Sequence, residues 1–156
     1  MVIQRWQSLF LLLVCALMAC FTFVSLGQIQ TQDFTLDISS LGLKYVGEAT
    51  DGAPTGYLIH TWYFFAVALM SSILPLIAIF KFNNLQLQKR LCLVEILFIV
   101  AATAIAAVIG YGQIENSIVG WSALAVAPII AIIADIMAYN FINRDHKLLS
   151  SADRLR

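Results

Sequence analysis

Two acidic residues, Glu95 and Asp135, lie inside long apolar stretches of the sequence, and their chemistry stands out there. A charged side chain within a membrane costs about 3 kcal/mol or more, so its presence needs a physical reason. Three uses are open for these two acids. They could bind a proton or another cation, they could be neutralised by basic residues as part of the fold, or they could specify a contact between helices or subunits.

The two acids differ in their distance to the nearest basic residue. On a helix, Glu95 lies about 7–8 Å from Arg90, within reach of a long basic side chain, which favours a structural use. Asp135 lies about 13–14 Å from Arg144, which leaves it deeper in the membrane. We therefore expect a structural role for Glu95, and both a structural and an ion-binding role stay open for Asp135.

The sequence contains no other pattern that predicts catalysis or metal binding. His60 and His146 are far apart in the sequence and lack partners at the spacing of metal ligands. Cys15, Cys20 and Cys92 lie in or beside apolar stretches, where cysteine behaves as a small apolar residue. Phosphate-binding loops, zinc-protease motifs and nucleophile elbows are absent. We therefore expect no catalytic residue, no metal and no cofactor, and an enzyme acting on lipid or quinone is disfavoured.

The composition predicts a membrane protein. The chain has 156 residues, of which 61% are hydrophobic and 12% charged, and its net charge is zero. Soluble domains carry about 25% charged residues. A soluble domain of this size lacks the interior to bury so much apolar surface, and a nucleic-acid-binding protein would need an excess of basic residues. We expect membrane lipid as a partner, no nucleic acid, and no small-molecule substrate that the sequence identifies.

Four apolar stretches are long enough to cross a bilayer as helices, which takes about 20 residues each. They cover residues 6–26, 58–80, 91–112 and 118–142. The first is predicted to be a retained helix rather than a signal peptide, because its apolar run continues past Cys20. Together they predict an all-α integral membrane protein, an antiparallel four-helix bundle forming a single domain over residues 1–156.

The basic residues predict how this bundle is oriented. Eight Lys and Arg residues lie in the loop 81–90, the tail 143–156 and the N-terminus, whereas the loop 27–57 contains only Lys44. The positive-inside rule then places both termini in the cytoplasm and the loop 27–57 outside. Contact with lipid headgroups is the favoured role of the inner basic residues, and contact with a protein is the alternative. These residues are Arg5, Arg90, Arg144, Lys147, Arg154 and Arg156.

The outer loop contains the only predicted strands. Residues 34–38 and 41–45 alternate between apolar and polar side chains, which predicts a short β-hairpin between the first two helices. A loop of about thirty residues cannot form its own core. The hairpin should therefore lie on the ends of the helices or on a partner protein.

Small residues recur on one face of the third and fourth spans, which favours close packing of helices. They are Ala102, Ala106, Gly110, Ala127, Ala131, Ala134 and Ala138. Four helices offer more such faces than a closed bundle uses, so one face could contact another subunit. Pro75 and Pro128 are expected to kink the second and fourth helices.

The two ends of the chain resemble those of a known family. Residues 1–7 (MVIQRWQ) are similar to the MIQRIQ opening of that family, and residues 151–156 (SADRLR) are similar to its charged end. The chain thus resembles a four-span membrane protein family of Bacteroidetes at both ends. The length, the number of spans and the outer loop are similar as well. The resemblance implies a bacterial inner membrane, and it implies no activity, because the family is defined only as a domain of unknown function.

Two functions remain open. The first is a non-catalytic accessory or structural subunit of a larger inner-membrane complex, such as a translocase, a motor or a respiratory assembly. It is favoured by the small size, the missing catalytic motifs, the extra small-residue faces and the uncovered hairpin, and it predicts other membrane proteins as partners. The alternative is a small oligomeric transporter or ion-coupled channel that uses Glu95 and Asp135.

Overall fold

The computed structural model describes residues 2–31, 34–46, 56–82, 84–112 and 118–153. The described residues form four α-helices, which are α1 (Val2–Phe23), α2 (Trp62–Phe80), α3 (Leu85–Gly112) and α4 (Ala127–Asp153). They also form five strands, which are β1 (Gly27–Gln30), β2 (Thr35–Ser39), β3 (Gly42–Val46), β4 (Tyr57–His60) and β5 (Ile118–Trp121). Each helix is long and apolar enough to cross a membrane.

The four helices pack side by side. Helix α1 contacts α2 and α4, and α3 contacts the same two helices. The small residues singled out in the sequence are all buried between the helices, where a side chain that ends at Cβ, or a glycine, lets backbones approach closely. Because the chain itself covers all seven, these residues offer no exposed face to a second subunit.

The ends of the helices differ from the sequence prediction. Residues 58–60 and 118–121, predicted to begin the second and fourth spans, belong to β4 and β5. Helix α3 begins at Leu85, inside the predicted inner loop, and α4 continues to Asp153, through most of the predicted tail. A short apolar run fits a strand as well as a helix, and pairing with a neighbouring strand decides between them.

The two prolines have different positions. Pro75 lies inside α2, as expected. Pro128 is the second residue of α4. A 3-10 helix (Ala123–Val126) leads directly into α4, so Pro128 stands where the two types of helix meet. The kink predicted at Pro128 stays a prediction.

An antiparallel sheet covers one end of the helices, with the strand order β4-β3-β2-β1-β5. The predicted hairpin is formed by β2 and β3, which pair from Thr35 opposite Val46 to Ser39 opposite Gly42. Strands β1 and β4 extend it on either side, and β5, which lies between α3 and α4 in the chain, pairs with β1. The fold is thus helical with a five-stranded sheet, and the prediction of an all-α protein with one isolated hairpin is wrong in this respect.

The sheet packs on the helices of its own chain. Ile29, Leu36, Ile38 and Leu43 are fully buried, and they belong to the same apolar cluster as side chains from all four helices. The alternation of buried and partly exposed residues along β2 explains how one face of the sheet contacts the helices. The helices therefore provide the cover that the hairpin requires.

The interior between the helices contains two apolar clusters. The larger one, the sheet-end cluster, lies next to the sheet and extends from there to Val14, Ile99 and Ala134. The smaller one lies at the opposite end of the helices and consists of Leu11, Ala78, Cys92, Ala138 and Ile142. We name this second end the basic end, because the residues nearest to it in the chain include Lys81, Lys89, Arg90, Arg144 and Lys147.

Candidate functional site

The two acids lie between the two apolar clusters. On α3, Glu95 follows Cys92 of the cluster at the basic end and precedes Ile99 of the sheet-end cluster. On α4, Asp135 has the corresponding position. Both side chains are 0% exposed, and their carboxyl groups are close enough to interact electrostatically. The structure thus brings together two acids that are forty residues apart in the sequence.

Each helix contributes a polar or polarisable group at this depth. The thiol of Cys92 lies next to the carboxyl group of Asp135, and Cys15 of α1 is near enough to Glu95 to interact with it electrostatically. Helix α2 contributes the buried residues Ser71 and Ser72, which lie between Ala68 of one cluster and Ala78 of the other. We name the four buried polar residues Ser71, Ser72, Glu95 and Asp135 the polar layer.

The members of the polar layer differ in their hydrogen bonding. The hydroxyl of Ser71 donates to the carbonyl oxygen of Ala68 at 2.7 Å, and that of Ser72 donates to the carbonyl oxygen of Leu69 at 2.8 Å. By contrast, the carboxyl oxygens of Glu95 have no hydrogen-bond partner among the described residues, and Asp135 has only the weakly donating thiol of Cys92 beside it. The serines are therefore satisfied within their own helix, whereas the acids are not.

The basic residues expected to neutralise the acids lie elsewhere. The ammonium group of Lys89 donates to Oδ1 of Asn143 at 2.8 Å and lies 5.5 Å from the centre of the Tyr139 ring. Arg90 and Arg144 are exposed. The backbone of Arg5 lies in α1, but its side chain is outside the described part of the structure. Within that part, the expected structural role of Glu95 as an ion-pair partner has no support.

A further buried polar residue, Gln88, lies toward the basic end. It is 2% exposed, and its side-chain oxygen has no hydrogen-bond partner among the described residues. Gln88, Cys92 and Glu95 are spaced by four and three residues, so they share one face of α3. The sequence did not lead us to predict this shared face, because Gln88 was assigned to a loop and Cys92 was treated as a small apolar residue. The spacing of four and three residues between them could have indicated it.

The basic end is held together by contacts between side chains. The amide nitrogen of Gln7 on α1 donates to Oδ2 of Asp145 on α4 at 2.6 Å, and the Lys89–Asn143 hydrogen bond joins α3 to α4. Arg90, Arg144 and Lys147 are exposed around these contacts. Arg154 and Arg156, which were also predicted to contact lipid or protein, lie outside the described residues.

A separate apolar cleft of about 290 Å³ lies near the sheet, with Thr103, Ala106, Trp121 and Ile129 among its lining residues. The indole nitrogen of Trp121 donates to the hydroxyl oxygen of Tyr111 at 3.0 Å. Because Gly110 has no side chain, the indole lies directly against α3. A Cβ atom at Gly110 would be only 2.5 Å from the indole ring. Neither acid lines this cleft.

The acids do not form a metal site of the usual kind. Within the described ranges, no group of three or more His, Cys, Asp and Glu residues is placed to hold a metal ion. A carboxyl group can instead hold a single proton without any further ligand. The arrangement is therefore better suited to binding protons than to binding a metal.

Four long apolar helices and a sheet over one end of them give this chain the features of a multi-pass membrane protein. The chain belongs to the family described as a domain of unknown function (DUF4293), whose family model matches residues 3–155. This match confirms that the chain is a member of a domain-of-unknown-function family, as the resemblance of its two ends predicted. A search of curated proteins finds no match to the chain.

Proposed function

We propose that this chain is a proton-binding membrane protein in which Glu95 and Asp135 take up and release protons. The observation that carries the proposal is the pair of fully buried, electrostatically interacting carboxyl groups, which have no basic partner among the described residues and only the weakly donating Cys92 thiol beside Asp135. An unpaired charge in such a place is expensive, so a buried acid is kept neutral by a bound proton. Such a pair suits a small, oligomeric, ion-coupled transporter or channel.

The proposed setting is a bacterial inner membrane, crossed by an antiparallel bundle with both termini in the cytoplasm. From the basic end toward the sheet, residue numbers rise in α1 and α3 and fall in α2 and α4, as the members of the two clusters indicate. The basic residues near one end favour a cytoplasmic location of that end. The resemblance of the chain ends to proteins from Bacteroidetes supports the bacterial membrane.

A subunit of a larger complex, such as a translocase, motor or respiratory assembly, is the second candidate. Two of its supporting features are weakened, because the small residues are buried within the chain and the sheet packs on its own helices. The exposed side chains of Arg144 and Lys147 at the basic end still favour a protein or lipid contact there. Purification from the native host in mild detergent separates the candidates, since stoichiometric unrelated partners support the subunit and a homo-oligomer supports the transporter.

The proton-binding proposal is tested by infrared difference spectroscopy on the full chain in lipid vesicles while the bulk pH is changed. A protonated carboxylic acid has a C=O stretching band that its carboxylate lacks. Above about pH 6, where ordinary exposed carboxyl groups are ionised, we expect the wild-type spectrum to show a band that changes with pH, Glu95→Gln and Asp135→Asn each to reduce it, and the double variant to abolish it. Each variant should elute in detergent like the wild type, which checks its folding.

The matched control is Asp37→Asn. Asp37 is also an acid, but it lies in β2 and accepts a hydrogen bond from the hydroxyl of Ser25. Its replacement should leave the carboxylic acid band unchanged. If the band persists in the double variant, or is absent from the wild-type protein at every pH, Glu95 and Asp135 do not exchange protons and the proposal is wrong.

A further inference from the structure

The acid pair is covered very differently on its two sides. Toward the sheet, every helix contributes buried apolar side chains, and the sheet adds Ile29, Leu36, Ile38 and Leu43. Along α3 this side extends about 25 Å from Glu95 to Gly112. Toward the basic end, each helix contributes to a smaller cluster of five buried residues, with partly buried apolar side chains packed against it, and α3 begins about 15 Å from Glu95.

The thinner side also contains Gln88, which with Glu95 makes up the buried polar side chains of α3. From Glu95 toward the basic end, the same face of the helix presents the thiol of Cys92 and then the amide of Gln88. Toward the sheet, that face continues with Ile99, Ala102 and Ala106, which are buried and apolar. Gln88 has an unpartnered acceptor oxygen that can hydrogen-bond to an entering water molecule.

The two ends also differ in how firmly they are held. At the sheet end, backbone hydrogen bonds between strands join the segments that follow α1 and precede α2 and α4. At the basic end, the helices are joined by side-chain hydrogen bonds such as Gln7–Asp145 and Lys89–Asn143. Local opening requires fewer broken contacts where few buried groups and few backbone bonds are involved. The basic end is therefore the easier one to open.

We infer that protons reach the Glu95–Asp135 pair from the basic end only, along Gln88 and Cys92, while the sheet end stays closed. The inference rests on the proposed function, whose site it extends with an entry route. The titratable groups facing the pair are Cys15 from α1 and Cys92 from α3. Helix α2 adds only the hydroxyls of Ser71 and Ser72, so no basic group of the described residues competes with the proton.

The native thiol of Cys92 is a reporter for this route. A charged methanethiosulfonate reagent, which does not cross membranes, reaches a thiol only through water. The Cys92 thiolate attacks the reagent's sulfur, forms a mixed disulfide and releases methanesulfinate. In a chain with Cys15→Ala and Cys20→Ala, Cys92 is the only thiol, and mass spectrometry measures its labelling from each side of sealed vesicles.

Two surface cysteines define the sides of the vesicles. In a chain without native cysteines, Asn84→Cys marks the basic end and Lys44→Cys marks the sheet end, since both positions are exposed. We expect Cys92 to be labelled only from the side that labels Asn84→Cys. Ile142→Ala, which thins the cluster at the basic end, should speed this labelling several-fold. Ile99→Ala removes the same atoms on the sheet side and should leave the rate unchanged.

Labelling of Cys92 from the sheet side, or equally from both sides, would overturn the inference. So would an absence of labelling from the basic side even in Ile142→Ala. The proposed function is judged separately by the infrared band. If Cys92 is labelled from one side only but the infrared band is absent, proton binding is rejected and one-sided access of water to the acid pair is supported. If Cys92 is labelled from both sides and the band is present, proton binding is supported and one-sided access is rejected.

Discussion

At the scale of single residues, the functional argument rests on a difference in hydrogen bonding between the serines and the acids of the polar layer. Ser71 and Ser72 are buried, but each hydroxyl is bonded to a carbonyl oxygen of its own helix, so they need no other partner. Glu95 and Asp135 are fully buried, yet the oxygens of Glu95 have no hydrogen-bond partner among the described residues and Asp135 has only the weak thiol of Cys92. Buried polar groups without partners are rare in proteins and call for an explanation beyond the fold.

This contrast predicts that the fold is more stable when the carboxyl group of Glu95 is replaced by an apolar group. Methionine is close to glutamate in shape and adds no polar group, so Glu95→Met should raise the free energy of unfolding in detergent by about 1–3 kcal/mol, the cost of an unsatisfied buried group. Thermal unfolding measures the change. Gln86→Met, at an exposed position on the same helix, is the control and should have little effect. A loss of stability in Glu95→Met would mean that the carboxyl group has a structural partner.

Sequence reasoning located the acids but not their surroundings. Glu95 and Asp135 were visible because charged residues are rare within apolar spans. That their carboxyl groups come close enough to interact depends on how α3 and α4 are rotated when they pack, which no local pattern encodes. Arg90, the basic residue predicted to neutralise Glu95, is exposed, and Lys89 bonds to Asn143.

At the scale of elements, the strand β5 shows where local patterns fail. Ile118, Val119 and Trp121 form an apolar run shortly before the fourth helix, and such a run is compatible with either a helix or a strand. Its partner β1 is distant in sequence, so only the tertiary fold reveals the pairing. The hairpin of β2 and β3 was predictable because its two strands are adjacent and alternate clearly.

The pairing of β1 with β5 predicts a strict requirement for glycine at position 27. A Cβ atom there would lie 2.6 Å from the carbonyl oxygen of Gly120, which is a backbone atom and cannot move independently. Gly27→Ala should therefore push the strands apart and destabilise the protein by about 1–3 kcal/mol, as overpacking does. Thermal unfolding in detergent measures the loss.

The control for this prediction lies on the opposite strand. A Cβ atom at Gly120 would lie 3.8 Å from the carbonyl oxygen of Gln28, which is an ordinary contact. Gly120→Ala should thus change stability much less than Gly27→Ala. Equal effects of the two substitutions would indicate that β1 and β5 are not packed as closely as described.

At the scale of the whole molecule, the two ends of the helices are built differently. One end is covered by a hydrogen-bonded sheet that shares the main apolar cluster, and the other is held by a small cluster and by side-chain contacts. Proteins open locally where buried contacts are few. We therefore expect a gradient of local stability along the helices, which is consistent with an entry route at the basic end.

Hydrogen exchange should detect this gradient. Backbone amides of β2 and β3 should exchange more slowly than those of residues 143–153, the part of α4 beyond the buried Ile142. Exchange mass spectrometry on the protein in lipid discs provides the comparison peptide by peptide. Faster exchange in the sheet than in this end of α4 would contradict the described asymmetry.

The late position of β5 in the chain has a consequence for biosynthesis. Strand β1 ends at Gln30, but its partner β5 begins only at Ile118, after α2 and α3 have been made. At about 5–20 residues per second, β1 waits on the order of 10 s for that partner. Until then β1 is a bare sheet edge, of the kind that invites pairing with other chains. The nascent protein is thus most vulnerable to aggregation while α2 and α3 are being made, before β5 is available to cover the edge of β1.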